Sequence, residues 1–263
     1  MSGRHLKEKL ARGERVYGTF FQYTTNPAIV EVLPAGLDFV VVTAEHNALD
    51  LADFLGVRFA LAAKGIACLA RIHSRDPEDV AKAADSYDGI VVPYVEDIEE
   101  VKRIAAAAVY RPLKGEALAR VIAGGEWPSR KTREYCLDRC RETFLAPMIE
   151  SVLSVENLDR ICEIPGIDAV FVGPNDMTVS MGIPEERDNP QFVEVLQRII
   201  DTAEAHGIAA GCHFSKLEHT ERIIEQGARF VPFGSDLSMI QQGLAAALGS
   251  LRAGAAATPE RII

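Results

Sequence analysis

The amino-acid sequence predicts an α/β protein that folds as a single (β/α)8 TIM barrel. Three observations support this prediction. The chain has 263 residues, it contains about eight short apolar runs rich in Val, Ile and Phe, and longer helical patterns separate these runs from one end to the other. A hydrophobic content of 48% is enough for one large core. We therefore expect one domain over residues 1–263.

Eight strands are predicted in chain order, each as a short apolar run. They cover residues 16–22, 38–42, 67–71, 89–92, 144–149, 169–172, 208–212 and 230–233. Seven helices are predicted between and after them, over residues 50–64, 77–84, 98–108, 155–164, 190–206, 217–226 and 237–251. Asp76 before Pro77 and Asn189 before Pro190 are typical of helix starts, because the side chain caps the first turn and proline fits its first position.

One connection is too long for an ordinary barrel loop. Residues 110–143, between the fourth and fifth predicted strands, contain a Gly-Gly pair, Trp127-Pro128 and a charged helical piece. An insertion of this kind more often forms a lid or a subunit contact than a second domain. We expect it to remain part of the single domain.

Charge and cysteine content exclude several classes of function. The formal net charge of -10 and the pI near 5.2 argue against nucleic acid or an acidic membrane surface as a partner. The five cysteines lack the spacing of a zinc site or a disulfide framework. Neither a signal core nor a membrane-spanning run is present. We expect a cytoplasmic protein that acts on a small molecule.

Barrel enzymes carry their chemistry where the strands end, and polar residues are concentrated there in this sequence. The candidates are Gln22, Thr43, Glu45, His46, Arg71, Glu150, Asn175, Asp176, His213, Ser235 and Asp236. Among them, His213, Ser235 and Asp236 are interpreted as structural. Cys136 and Cys140, four residues apart on a helical pattern, are interpreted as packing residues because no histidine accompanies them.

Two carboxylates follow neighbouring predicted strands, Glu150 after residues 144–149 and Asp176 after residues 169–172. Two hard oxygen ligands at one rim suit Mg²⁺, Mn²⁺ or Co²⁺, and leave coordination positions for water and for a 2-oxo acid. Such a metal stabilises an enolate as a Lewis acid. The alternative interpretation is that each carboxylate only caps the helix that follows.

Further polar groups accompany the two carboxylates. Arg71 ends the third strand, where its guanidinium either binds an oxyanion or forms a structural ion pair with a rim acid. His46 is either a general acid or base or an idle surface side chain. The turn formed by Gly173, Pro174 and Asn175 either presents backbone N–H groups to a carboxylate or serves only as a turn.

Four segments in order along the chain resemble the HpcH/HpaI aldolase/citrate lyase family and its class II pyruvate aldolases. They are residues 38–46, with the sequence DFVVVTAEH, the Ala70-Arg71 pair, the Ile149-Glu150 pair, and residues 172–176, with the sequence VGPND. The resemblance spans nearly the whole chain, from about residue 18 to residue 243. It implies a barrel of the phosphoenolpyruvate/pyruvate type.

The resemblance also implies roles for individual residues. It implies a divalent metal on Glu150 and Asp176, Arg71 on the keto or enolate oxygen, and His46 in proton transfer. Glu45 is then an outer-shell residue, and the backbone of residues 173–176 holds the substrate carboxylate. Family members are usually trimers or hexamers with active sites near subunit boundaries, often with an exchanged C-terminal helix, which corresponds to residues 237–251 here.

This sequence departs from the family pattern at three places. Thr43 stands where relatives carry an aspartate that orients the histidine, Asn47 replaces a glycine, and residues 114–120 lack a glycine-and-arginine pattern. Threonine accepts a hydrogen bond but supplies no charge, so we expect His46 to be a weaker base.

The sequence therefore predicts a metal-dependent carbon–carbon lyase of the aldehyde-lyase type, acting on a 2-oxo acid through a pyruvate enolate. Two alternatives stay open: a condensing enzyme that uses an oxo-acid enolate, as a citrate synthase does, and a barrel that binds an oxo acid without catalysis. A Schiff-base aldolase is disfavoured, because its lysine must be desolvated inside the barrel whereas Lys216 is predicted in a loop.

Overall fold

Eight parallel strands with helices between them form a nearly closed barrel, which confirms the predicted fold class. The computed structural model describes residues 3–252. Four of the predicted strands have the predicted bounds and the other four differ by one or two residues at their ends. The strands are β1 (Val16–Phe21), β2 (Phe39–Thr43), β3 (Ala67–Arg71), β4 (Gly89–Val92), β5 (Phe144–Ile149), β6 (Ala169–Val172), β7 (Ala209–Cys212) and β8 (Phe230–Ser235).

From β1 to β7, each strand pairs with the next strand in the chain, and β1 also pairs with β8, so that the order around the sheet is β7-β6-β5-β4-β3-β2-β1-β8. The barrel closes between β7 and β8 through a parallel bridge that joins Phe214 to Phe233. Hydrogen bonds on both sides of this seam support it, from Arg229 N–H to Ala210 O at 3.0 Å and from Gly234 N–H to Phe214 O at 2.9 Å.

Most of the helices lie where the sequence predicts them. They are α1 (Gly3–Ala11), α2 (Leu55–Ala63), α3 (Pro77–Ser86), α4 (Ile98–Val109), α5 (Gly115–Ile122), α6 (Arg130–Cys140), α7 (Val152–Glu156), α8 (Leu158–Cys162), α9 (Pro174–Ser180), α10 (Pro190–Ala205), α11 (Leu217–Glu225) and α12 (Asp236–Arg252), with 3₁₀ helices at Pro27–Val32 and Leu51–Phe54. No helix within residues 3–252 is long and apolar enough to cross a membrane.

Two predicted helices are divided in the structure. The segment 50–64 begins as a 3₁₀ helix, in which the Asp50 N–H donates to the Asp53 carboxylate at 2.8 Å. The segment 155–164 begins earlier than predicted and breaks at Asn157. Ser151 and Ser154 form a reciprocal cap that starts α7 at residue 152, and the Asn157 side chain donates to Glu96 O at 3.0 Å instead of lying free on a helix surface.

The barrel interior is filled by side chains from alternate strand positions. Aromatic rings dominate it: Phe39 stacks on Phe230 with ring centroids 4.6 Å apart, and Phe144 lies 5.5 Å from the same ring. Helix α1 closes the N-terminal end of the barrel, because Leu6 and Leu10 are buried in the same cluster. The interior is therefore packed below the C-terminal ends of the strands, and the cavity described below opens at that end.

The predicted insertion at residues 110–143 carries α5 and α6. Cys136 and Cys140 are buried on α6, in agreement with the packing role predicted for them, and Tyr110 contacts Trp127 edge to face at 5.0 Å. All five cysteines are free thiols. No residue of this insertion lines the cavity described below, and its role as a lid or a subunit contact remains a prediction.

Candidate active site

Five of the polar residues predicted at the strand ends share one face of the barrel because side chains alternate along a strand. On β2, Phe39 and Val41 belong to the interior cluster whereas Val40 and Val42 pack under the helices. Counting from the interior residues of each strand towards its C-terminal end, in steps of two, leads to polar residues that form a layer above the aromatic core. Its members are Gln22, Thr43, Arg71, Glu150 and His213.

A cavity of about 390 Å³ opens at this end of the barrel, a size that suits a small organic acid. Its walls combine most of the predicted site residues with several that were not predicted. They include Gln22, His46, Arg71, Glu150, Gly173, Pro174, Asn175, Asp176, Arg187, His213, Ser215, Lys216 and His219. Met148 and Phe171 form the apolar floor.

Glu150 is the most buried acid in the cavity, with 4% of its surface exposed. Burial raises its pKa to about 7, while a hydrogen bond from the Tyr94 N–H at 2.9 Å opposes the shift and the nearby Asp176 charge adds to it. The carboxylate lies against Gly173. A Cβ atom at position 173 would come within 2.2 Å of the Glu150 Oε1 atom, so only glycine leaves room for this carboxylate.

Tyr94, which is not among the candidates from the sequence, contacts both predicted metal ligands, Glu150 and Asp176. Its hydroxyl donates to Asp176 at 3.0 Å while its N–H donates to Glu150, so one residue touches both carboxylates. Burial and the hydrogen bond to Asp176 raise the pKa of Tyr94 to about 12, which keeps the phenol protonated as a donor. Its backbone has a φ of 54°, a conformation that is uncommon outside glycine and often occurs at functional sites.

Glu150 and Asp176 fit a divalent metal in the chemistry of their donor atoms. Within residues 3–252, no group of three or more His, Cys, Asp or Glu side chains is arranged to enclose a metal. Mg²⁺ and similar ions are commonly held by one or two carboxylates, with water and substrate in the other positions. Two carboxylates at the wall of a cavity large enough for a substrate match that pattern.

Arg71 contacts Glu45, and Glu45 also approaches His46. The Arg71 guanidinium and the Glu45 carboxylate form an ion pair in which both side chains are about 15% exposed, so the rim-acid pairing considered from the sequence is present. The other Glu45 oxygen lies 3.5 Å from His46 Nε2. His46 itself has a φ of 64° and an exposed side chain that reaches the cavity rim.

Thr43 interacts with the backbone and not with His46. Its hydroxyl accepts a hydrogen bond from the Glu45 N–H at 3.1 Å. The Asn47 amide donates to Gln22 O and to Thr43 O, both at 2.9 Å, and so ties the ends of β1 and β2 together. The carboxylate nearest to His46 is therefore that of Glu45.

The predicted turn at residues 173–175 is the start of a helix. Gly173 precedes α9, and Pro174 is its first residue, so Pro174 contributes no N–H group to the rim. The Asn175 amide oxygen accepts a hydrogen bond from Arg187, which was not predicted as a site residue.

The three residues interpreted as structural make backbone contacts. His213 Nε2 donates to Gly234 O at 2.9 Å, and burial lowers the pKa of His213 to about 4, so the ring is neutral. Asp236 accepts hydrogen bonds from the N–H groups of Gln22, Tyr23 and Thr24 at 2.8 to 3.0 Å. Ser235 caps α12 by accepting from the Ser238 N–H at 3.1 Å.

Replacing Gly173 with alanine is expected to displace the Glu150 carboxylate, because the added methyl group occupies its position. We expect metal affinity to fall by about 10-fold or more, the size of effect seen when a ligand loses its supporting contacts. Isothermal titration with Mn²⁺ measures this, and Gly56→Ala, at a position of α2 where the added carbon meets only ordinary contacts at 3.7 Å, is the matched control. Equal affinities in the two variants would contradict the prediction.

Comparison with known proteins gives consistent matches over most of the chain. Residues 17–242 match the family described as HpcH/HpaI aldolase/citrate lyase. A 5-keto-4-deoxy-D-glucarate aldolase of Salmonella arizonae is 30% identical over 223 residues, which cover 83% of this chain and 85% of that protein. A similarly named protein of Citrobacter koseri is also 30% identical, over 82% of this chain and 84% of that protein.

Solved structures agree with this result. An HpcH/HpaI aldolase from Desulfitobacterium hafniense superposes with a TM-score of 0.80 at 27% identity, covering 94% of this chain and 96% of that one. The citrate synthase SbnG superposes with a TM-score of 0.78 at 28% identity, covering 95% and 98%.

Proposed function

Because this chain belongs to the HpcH/HpaI aldolase/citrate lyase family, we propose that it is a metal-dependent class II aldolase that cleaves or forms 4-hydroxy-2-oxo acids through a pyruvate enolate. The observation that carries this proposal is the placement of Glu150, Asp176 and Arg71 around one cavity at the C-terminal end of the barrel. Two carboxylates suit a divalent metal and a guanidinium suits the oxygen of an enolate.

In the cleavage direction, the proton of the substrate 4-hydroxyl is removed and the bond between C3 and C4 breaks. An aldehyde leaves, and the remaining enolate takes a proton at C3 to give pyruvate. We assign the removal of the hydroxyl proton to His46, directly or through a water molecule. Arg71 donates hydrogen bonds to the 2-keto oxygen, where negative charge develops.

Glu150 and Asp176 are the proposed ligands of Mg²⁺, Mn²⁺ or Co²⁺. When bound, such an ion supplies Lewis acidity that stabilises the negative charge of an enolate. Glu45 orients Arg71 through their ion pair and also lies next to His46. We propose that the backbone around Gly173, Pro174 and Asn175 lies next to the substrate carboxylate. Pro174 has no N–H group, so the hydrogen bonds to that carboxylate come from the other N–H groups of this segment.

Pyruvate release from a panel of 4-hydroxy-2-oxo acids tests this function. The purified protein is assayed as prepared, after EDTA treatment, and after addition of Mg²⁺, Mn²⁺ or Co²⁺. The expected result is turnover that disappears with the chelator and returns with metal. Metal binding without turnover on the whole panel would argue against an aldolase and favour either a condensing enzyme or an oxo-acid-binding barrel that lacks catalysis.

A second candidate function is a condensing enzyme that uses the same enolate site with another electrophile. The structural similarity to the citrate synthase SbnG favours it. Incubation with oxaloacetate and a second oxo acid, followed by mass spectrometry of the products, separates the two candidates. A condensation product in the absence of aldolase turnover would favour the second.

The proposed metal site should bind its ion more weakly as the pH falls. Glu150 must be ionised to bind a metal, and its pKa is raised to about 7, so protons compete with the metal below that pH. We expect the apparent Kd for Mn²⁺ to be about tenfold higher at pH 6 than at pH 8, with release of about one proton on binding at pH 6. Calorimetry in two buffers of different ionisation enthalpy measures both quantities. A Kd that does not change with pH would contradict this assignment.

We also propose that the protein is a homo-oligomer, a trimer or a hexamer, in which α12 packs against a second copy of the chain. Along α12, only Asp236 is buried, whereas long apolar side chains are 42% to 67% exposed. Such a stripe on a helix is costly in water unless another surface covers it. The exposed residues are Leu237, Met239, Ile240, Leu244, Leu248 and Leu251.

Light scattering after size-exclusion chromatography tests the oligomer. We expect a trimer or hexamer for the wild type and a smaller species for a Leu244→Lys, Leu248→Lys double variant, because both charges fall in the exposed stripe. A wild-type monomer would contradict the proposal.

The proposed location is the cytoplasm. All five cysteines are free, and each is buried. Unpaired thiols are usual in a reducing compartment and unusual in secreted proteins.

A further inference from the structure

Tyr94 holds both proposed metal ligands, although it has no part in the proposed reaction. It lies in the loop after β4, between Pro93 and Val95, which are both buried, whereas 43% of the Tyr94 surface is exposed. An exposed ring adds little to the core, so packing does not explain a tyrosine at this position. The two hydrogen bonds that Tyr94 donates both go to the proposed ligands.

The loop after β4 keeps the Tyr94 backbone in place. Its φ of 54° is costly for a residue with a side chain, so neighbouring contacts must support this conformation. The Asn157 side chain donates to Glu96 O at 3.0 Å. The Asp97 carboxylate caps α4 by accepting from the Glu100 N–H at 2.7 Å. These bonds fix the loop on the C-terminal side of Tyr94 and so hold its N–H and its ring in one orientation.

Each proposed ligand has one oxygen that no protein donor binds within the part of the chain that the structure describes. On Glu150, Oε2 accepts from the Tyr94 N–H at 2.9 Å, and Oε1 is the oxygen that lies against Gly173. On Asp176, Oδ1 accepts from the Tyr94 hydroxyl at 3.0 Å, which leaves Oδ2. Tyr94 therefore occupies one oxygen of each carboxylate and leaves the other for a cation.

This division of the oxygens affects which metal fits. An oxygen that already accepts a hydrogen bond is a weaker ligand than one that does not, because the donor occupies one of its lone pairs. Mg²⁺ and ions of similar size prefer an octahedral site with one or two carboxylates and several waters. Ca²⁺ takes about six to eight oxygen ligands and often binds a carboxylate through both oxygens. Coordination through single carboxylate oxygens therefore favours the smaller ions.

We propose that Tyr94 is a positioning residue that selects the metal, because it leaves one oxygen of Glu150 and one of Asp176 to the ion and so favours Mg²⁺, Mn²⁺ or Co²⁺ over Ca²⁺. Its N–H acts on Glu150 and its hydroxyl acts on Asp176. Only the hydroxyl contact can be removed by substitution, so Tyr94→Phe is the informative variant. This inference rests on the metal site of the proposed function.

Titration of the metal-free protein tests the selection without turnover. Calorimetry measures the affinity for Mn²⁺, and competition with Mn²⁺ measures the affinity for Ca²⁺. We expect Tyr94→Phe to bind Mn²⁺ about tenfold more weakly, a usual cost of losing a contact that supports a metal ligand. The affinity for Ca²⁺ should change by less than about threefold, because the freed Asp176 oxygen becomes a further ligand. Tyr135→Phe, which changes an exposed tyrosine on α6, is the matched control.

Two further measurements distinguish positioning from a general structural role. The electron paramagnetic resonance spectrum of bound Mn²⁺ depends on the arrangement of its ligands. It should therefore change in Tyr94→Phe and stay as in the wild type in Tyr135→Phe. The metal-free Tyr94→Phe protein should unfold within about 2 °C of the wild type, since a partly exposed hydroxyl contributes little to the free energy of unfolding.

The outcomes separate this inference from the proposed function. An unchanged ratio of Mn²⁺ to Ca²⁺ affinity in Tyr94→Phe would overturn the role of Tyr94, while the metal site would stand if Glu150→Gln still weakens Mn²⁺ binding. A lower ratio that comes with clearly earlier unfolding of the metal-free variant would show a structural role and would also overturn the inference. If the wild type binds no Mn²⁺, the proposed metal site fails and the inference fails with it.

Discussion

Replacing Glu150 with glutamine is expected to abolish metal-dependent turnover. Glutamine keeps the size and one acceptor oxygen of the side chain but removes the negative charge that a divalent ion requires. Changes in outer-shell contacts alone cost roughly 10- to 100-fold in metal affinity, so loss of a direct ligand should cost at least about 100-fold. Titration with Mn²⁺ and the pyruvate assay measure the two effects.

Stability and activity can be separated in this variant. Ionised Glu150 is costly to bury, which is why its pKa is raised, so the neutral glutamine should not lower the free energy of unfolding at pH 8. Glu99→Gln removes an exposed carboxylate on α4 and is the matched control. Wild-type metal affinity in Glu150→Gln would exclude this residue as a ligand.

Replacing Arg71 with lysine is expected to lower kcat/KM by about 100- to 1000-fold, the usual cost of removing a donor to a developing oxyanion. Lysine keeps the charge but lacks the planar fork of the guanidinium, which here must serve Glu45 and the substrate oxygen together. Steady-state kinetics should show the larger share of the loss in kcat, because the interaction strengthens as the charge develops.

Metal affinity provides the internal check for Arg71→Lys. Because Arg71 is not a proposed ligand, Mn²⁺ should still bind within about threefold of the wild-type affinity, far from the 100-fold cost of a lost ligand. Arg75→Lys, on the loop after β3 and paired with Glu100, controls for the substitution itself. A kcat/KM in Arg71→Lys close to that of Arg75→Lys would remove Arg71 from the proposed mechanism.

Much of the barrel was predictable because its signals are local. The bounds of β3, β4, β5 and β6 agree with the predictions at both ends, since apolar runs and their turn residues are contiguous in the chain. Asp76 and Asn189 cap their helices with hydrogen bonds of 2.8 and 3.0 Å, as the Asx-Pro pattern predicts. The family and the enzyme class, a carbon–carbon lyase, followed from short motifs at strand ends and are confirmed by the family match and the named aldolase relatives.

The roles assigned to the individual site residues remain predictions, although the structure brings these residues to one cavity. Glu150, Asp176, Arg71 and His46 all line it. The period-2 alternation of strands explains this result for Arg71 and Glu150, because their inward positions can be counted from the core residues of the same strand, whereas His46 lies in a loop and Asp176 on α9. The exchange of α12 between subunits also remains a prediction.

The sequence by itself determined the barrel, the family and the residues that follow each strand, because these depend on periodicity and on neighbours in the chain. Only the tertiary structure decided which groups touch. Tyr94 bridges Glu150 and Asp176 across 56 and 82 positions of the chain, and Arg229 closes the seam between β7 and β8. Arg187 bonds Asn175 and lies without an acidic partner among the described residues. Such contacts depend on how loops from distant parts of the chain come together. No local pattern of residue types determines which of their side chains are close enough to bond.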